Sequence, residues 1–254
     1  MSDIITRHDP VFKTDTLELV PTPKRVRVRF GGATVADSRS ATLLYEKGHL
    51  PLYYLPKHNV DMSLLQATDH HTHCPRKGDA SYWTVSVDDR QAENAVWSYP
   101  DPLDGAEPLA DYMAFDWHAM DTWFEEDDPV FAHPRDPYHR VDVATSSRHV
   151  KAVVGGVTVA ESERPMILFE TGLPPRYYLP VTDVGLEHLT PTSTVTRCPY
   201  KGNANYYSVN AGGTTLDDVV WYYQTPLPEA LRVTGYLCFY SEKLDAFYVD
   251  GEQI

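Results

Sequence analysis

The sequence predicts a mainly β chain made of two homologous domains. Each is expected to be a pair of packed antiparallel sheets, or a partly open barrel, carrying one short helix. Three observations predict it. One long segment is written twice at a constant spacing. Short runs of alternating polarity end at Gly and Pro. No strand passes through a glycine-rich turn into a long helix, which removes the α/β nucleotide folds. The 254 residues include 20 prolines, a share well above the usual figure of about 5%, and these punctuate many short strands.

The duplication is direct. Gly31-Gly32 matches Gly155-Gly156 at an offset of 124 residues. The same offset pairs Tyr53-Tyr54-Leu55-Pro56 with Tyr177-Tyr178-Leu179-Pro180, Cys74-Pro75 with Cys198-Pro199, and Lys77-Gly78 with Lys201-Gly202. It still holds at Trp97 with Trp221, Phe115 with Phe239 and Asp121 with Asp245. No gap is needed from about residue 25 to residue 127, and roughly a third of the aligned positions are identical. The first repeat with its lead-in is therefore expected over 1–128 and the second over 129–254. The acidic run Glu125-Glu126-Asp127-Asp128-Pro129 opens a connector that Pro134 and Pro137 keep extended. Two copies of one module usually pack about a pseudo-two-fold axis, so an intramolecular pseudo-dimer is expected.

Within the first copy, Val26–Phe30, Gly31-Gly32 and Ala33–Ala36 read as a hairpin whose glycines supply positive φ. Strands follow near Thr42–Glu46, Leu52–Leu55, Ser81–Val87, Ala95–Tyr99 and Met120–Glu125. A short helix is expected over Val60–Gln66, with a twin at Val184–Leu189.

Charge and composition narrow the partners. Lys and Arg total 22 against 36 Asp and Glu, a net charge of −14. Nucleic-acid backbones and anionic membrane surfaces need clustered positive charge, so neither is expected as a partner. No apolar run approaches the roughly 18 residues that span a bilayer. The opening MSDIITRHDP has no apolar stretch of the signal-peptide kind. Three cysteines, an odd number with no CxxC pair, disfavour a disulfide framework and a four-thiolate zinc site. A cytoplasmic location is expected, and no cofactor.

The longest element kept in both copies runs Thr72–Tyr82 and Thr196–Tyr206, with the common core T-x-C-P-x-K-G-x-A-x-Y. A cysteine beside a lysine suits a thiolate nucleophile, and the lysine suits a bound carboxylate or phosphate. The same letters also spell a plain turn with a buried, inert cysteine. Cys198-Pro-Tyr-Lys-Gly through Tyr207, Glu170–Tyr178, Trp221-x-Tyr223 and Val249–Glu252 together resemble the bacterial family called domain of unknown function 427, over nearly the whole chain. That resemblance implies compact β domains akin to the β-tent. Some members carry a nucleotidyltransferase label, but the paired-aspartate metal motif after a Gly-Ser turn is absent from this sequence.

Strand alternation puts Trp83, Val85 and Val87 on one face and Tyr82, Thr84 and Ser86 on the other, with Tyr207 and Tyr206 as the corresponding split in the twin. A tyrosine kept twice on the polar face points to a ligand pocket, though a tyrosine-rich core fits as well. The second copy has Arg176 where the first has Leu52, and it is taken as the better site. The candidates there are Cys198, Lys201 and Glu170 as nucleophile and acid/base groups. Arg176, Tyr177, Tyr206, Trp221 and Tyr223 are the binding candidates, with Lys77, Tyr82 and Trp97 as first-copy counterparts. A metal site from His71, His73 and His58 is a weaker alternative, since the second copy has no such histidines. His118, His133 and His139 are read as solvated. The reading is a small-molecule protein: an enzyme acting on an anionic metabolite, a non-catalytic binding or sensing module, or a structural tandem scaffold.

Overall fold

The computed structural model describes residues 9–254. The opening segment judged above for targeting therefore lies, through residue 8, outside the described residues. The chain divides into two compact units, one ending at Pro134 and one running from Arg135 to Ile254. Among the described residues each unit holds one large and one four-stranded antiparallel sheet, and no sheet closes into a barrel.

In the first unit the large sheet runs, edge to edge, through Phe12–Lys13, Leu17–Pro21, Thr42–Glu46, Leu52–Pro56, Tyr112–Phe115, Arg90–Ser98, Gly78–Val87 and Leu65–Cys74. The smaller sheet is Asp128–Val130, Thr122–Glu125, Val26–Phe30 and Ala33–Ser38. The second unit repeats this pattern with Val141–Thr145, Met166–Glu170, Arg176–Pro180, Tyr236–Phe239, Thr214–Tyr223, Gly202–Ala211 and Leu189–Cys198 in its large sheet. Its smaller sheet is Val157–Ser162, Val150–Val154, Ala246–Val249 and Glu252–Gln253.

The glycine hairpin forms as expected. Gly31 and Gly32 both sit at positive φ (57° and 83°), which a two-residue hairpin loop requires. The duplicated Asp121 closes it, accepting the Gly31 N–H at 2.8 Å, and Asp245 does the same for Gly155.

Two expectations are corrected. No α-helix covers Val60–Gln66 or Val184–Leu189. Each region holds a single 3₁₀ turn, Met62–Leu64 or Leu186–His188, with another just before it at Lys57–Asn59 or Val181–Asp183. The reason is tertiary. Val60 bridges Ala36 and Asp61 donates to the Val35 carbonyl at 2.8 Å, which holds the chain extended where a helix would begin. From Leu65 onward, pairing with Val85 takes over. The segment Asp128–Val130, read as connector, is instead an edge strand paired with Thr122–Glu125. Val130 is buried there, and Pro129 is tolerated because an edge strand need not donate on both sides.

The central strands of each large sheet are buried on both faces, while the edge strands Leu65–Cys74 and Leu189–Cys198 are largely exposed. In the first unit, Tyr53, Val85, Val87 and Val96 pack with the smaller sheet around Trp123. On the opposite face Tyr54, Ala80, Tyr99 and Ala114 form a second apolar cluster, with Tyr82 and Trp97 against it. The second unit repeats the division. The face read as polar therefore carries a core of its own. That outer cluster positions the site.

Candidate functional site

The repeated motif builds the site from its backbone outward. Lys77 N–H closes a turn on the Cys74 carbonyl at 3.2 Å, with Pro75 at its second position, where its fixed φ suits the turn. Gly78 follows at φ 104°, and a Cβ there would stand 3.1 Å from the Asp101 carbonyl oxygen. Only glycine meets both conditions. The neighbouring loop docks through Leu103 N–H to the Lys77 carbonyl, and Leu227 to Lys201 in the twin, both at 3.1 Å. Across the hairpin Thr72 Oγ1 meets Tyr82 Oη at 2.8 Å, and Thr196 meets Tyr206 at the same distance. The first and last letters of the motif are one hydrogen-bonded rung.

This turn lays the lysine against a carboxylate. Lys77 Nζ donates to Glu46 Oε2 at 2.5 Å, and Arg76 Nη1 donates to Oε1 of the same residue at 3.0 Å. In the second repeat Lys201 donates to Glu170, whose other oxygen meets His139 Nε2 at 3.0 Å. The lysine side chains are 10% and 12% exposed. Burial pushes both carboxyls up. The Lys77 bond and charge, with His49 and Arg76, outweigh this and hold Glu46 below the ordinary glutamate value; Lys201 and His139 do so for Glu170. Burial also raises the hydroxyls of Tyr99 and Tyr223, which therefore stay protonated.

The two repeats then part. In the first, Lys77, Glu46, Tyr54, Tyr82, Trp97 and Tyr99 face a cavity of about 400 Å³, whose walls include Trp117, His49 and Ala132–Pro134. His133, read as solvated, is part of that wall. In the second, Tyr206, Trp221 and Tyr223 are buried in the outer cluster. The Arg176 guanidinium stands 5.6 Å from the Trp221 ring centroid and 5.6 Å from that of Tyr240. Glu242 takes it in two bonds of 2.8 and 2.9 Å. That pair holds the Glu242 carboxyl down at about 2, and burial beside Tyr206 pushes the Tyr240 hydroxyl up to about 12.

Several sequence-derived candidates move. Arg176 is bound to Glu242 and lies over the buried Trp221 ring. Tyr177 faces the other core, 5.8 Å from Phe247, because strand alternation turns its neighbour Tyr178 toward Trp221 instead. Cys198 lies near Tyr223, but among the described residues no hydrogen-bond partner meets the thiol of Cys74 or of Cys198, and both residues are half-buried. Among the described residues no three His, Cys, Asp or Glu side chains converge to hold a metal ion. His71 Nδ1 lies 3.3 Å from the Ala80 carbonyl oxygen and His73 Nδ1 lies 2.6 Å from Asp79, while exposed His58 sits on the turn Lys57–Asn59. His139, read as solvated, is half-buried and stacks on Tyr200 with centroids 4.2 Å apart. The sequence matches Glu46 to Glu170, yet Glu46 is not placed among the site residues, and Trp117 is passed over. For Glu46 a signal existed: a glutamate stands 31 residues before the lysine in both copies.

These features define a tandem β protein in which each repeat sets a lysine–glutamate pair beneath aromatic rings. The chain belongs to the family described as domain of unknown function (DUF427), whose family model matches residues 18–126 and 142–250. No curated protein matches it. Among the described residues no helix is long and apolar enough to cross a membrane.

Proposed function

We propose that this protein binds an anionic small molecule in the cavity of its first repeat. One observation carries the reading. Lys77 lines that cavity, is almost wholly removed from water, and bonds only Glu46 among the described residues. An ammonium has three donors, and buried donors without acceptors are costly. Arg76 shares the same carboxylate, so two permanent cations stand against one anion. A cavity of about 400 Å³ is of the size that holds small ligands.

Binding without turnover is the better-supported form. Glu46 is held as a carboxylate by its cations, which suits anchoring and not proton donation. Neither motif cysteine has a hydrogen-bonded base among the described residues. The test is a thermal-shift panel of anionic metabolites on the full chain, with native mass spectrometry for any co-purified species. A hit should be lost in Lys77→Met and weakened in Arg76→Ala, with near-ultraviolet circular dichroism reporting that each variant is folded. A hit bound equally well by both folded variants places the ligand elsewhere.

A further inference from the structure

The duplicated architecture supplies an internal comparison. Trp97 and Trp221 are equivalent, as are Lys77 and Lys201. Over Trp221 lie the Tyr240 ring, with centroids 4.4 Å apart, and a flat, delocalised group, the Arg176 guanidinium at 5.6 Å, clamped by Glu242. Leu52, Asp116 and His118 stand at those three positions in the first repeat, so no part of that cover exists there. Trp97 is left half-buried against an open cavity. Lys201, like Lys77, bonds only its glutamate among the described residues, so the second repeat keeps its cationic hook and has only its ring covered.

We propose that Arg176 is a built-in stand-in for the ligand, and that the first repeat takes a flat, conjugated ring bearing one carboxylate. The ring packs over Trp97 as the guanidinium lies over Trp221, 5.6 Å from its centroid. The carboxylate accepts the remaining Lys77 N–H bonds, which are stronger for being charge-assisted. A cation is disfavoured because Lys77 and Arg76 already outnumber Glu46. One chain then binds one such molecule. This inference rests on the first-repeat cavity being the ligand site, and it adds the ligand's shape and charge.

The experiment uses the full chain and four probes followed by calorimetry and tryptophan fluorescence: benzoate, benzamide, benzamidine and cyclohexanecarboxylate. Benzoate should bind at least about tenfold more tightly than each of the others, since one charge-assisted bond or one ring contact is of that order. Grafting the cover with Leu52→Arg and His118→Glu should abolish benzoate binding. Removing it with Arg176→Leu, Tyr240→Asp and Glu242→His should raise the stoichiometry from one to two. If that set of changes unfolds the protein, Trp97→Phe in the first repeat serves instead and should weaken benzoate at least about fivefold. Tighter binding of benzamidine or cyclohexanecarboxylate overturns the ligand class while leaving the cavity as the site. A stoichiometry that stays at one in a folded Arg176→Leu, Tyr240→Asp, Glu242→His protein overturns the role of Arg176 as a stand-in. Benzoate binding that survives the grafted cover overturns the site itself.

Discussion

The ammonium of Lys201 rests against the carboxylate of Glu170, 31 residues earlier in the chain, with both side chains nearly sealed from water. Lys77 and Glu46 repeat the arrangement, and each pair lies on the outer face of a large sheet among tyrosine and tryptophan rings. Burying two charges is tolerated only when each satisfies the other. That condition explains why the module keeps both residues twice.

Removing one partner should therefore be expensive. Glu170→Gln leaves Lys201 without a counter-charge and is expected to lower unfolding free energy by about 3 kcal/mol, read from urea melts at neutral pH.

The same pair sets an acid limit. The folded-state Glu170 carboxyl lies below the ordinary value of 4.5. Its contribution is fully present above that ordinary value and is lost as pH falls through the lowered folded one. Urea midpoints should drop over that acid range, and Glu170→Gln should flatten the dependence. A variant whose midpoint falls just as steeply would assign the acid sensitivity to other carboxylates.

The equivalent tryptophans should respond unequally. Trp221 is buried and donates its indole N–H to Tyr178 at 3.0 Å, so Trp221→Ala is expected to cost about 3–5 kcal/mol. Trp97 faces the cavity, and Trp97→Ala should cost well under that while abolishing ligand-dependent fluorescence changes. Equal losses of stability would mean that the first-repeat cavity is closed in solution.

Adjacent glycines in one turn separate conformation from crowding. Gly155 and Gly156 both have positive φ, which costs about 1 kcal/mol for an L side chain. A Cβ on Gly155 would fall 2.2 Å from the Ala211 carbonyl oxygen, whereas one on Gly156 meets nothing within 4 Å. Gly155→Ala should therefore destabilise by about 3 kcal/mol or more and Gly156→Ala by about 1. Thermal melts of the two variants, side by side, decide it.

The Thr196–Tyr206 rung should behave as a single interaction. Thr196→Val and Tyr206→Phe are each expected to cost about 1 kcal/mol, and the double variant little more than either alone. Additive losses in that cycle would mean the two hydroxyls are satisfied separately.

Much of this was legible in the residues. The spacing of 124 made the two units visible, and glycine pairs and alternating strands located most of the sheet. Lys77, Lys201 and their flanking rings were singled out because they occur twice. Choosing Tyr177 over Tyr178 failed because alternation fixes which residues share a face and leaves open which face meets which core. The expected helices failed because Val60–Ala36 pairing, a contact between distant residues, overrode a local pattern.

Order along the chain thus dictated two β modules, their turn chemistry and the charged residues each retained, because periodicity and backbone sterics act over a few residues. Only folding in three dimensions decided that a cavity opens beside Lys77 and Trp97 in the first repeat. Whether Arg176 finds Glu242 and lies across Trp221 depends on side chains brought together from 45 to 66 positions apart, as the sequence numbers of those residues show. Nothing in a linear pattern encodes such distances, whereas packing resolves them at once.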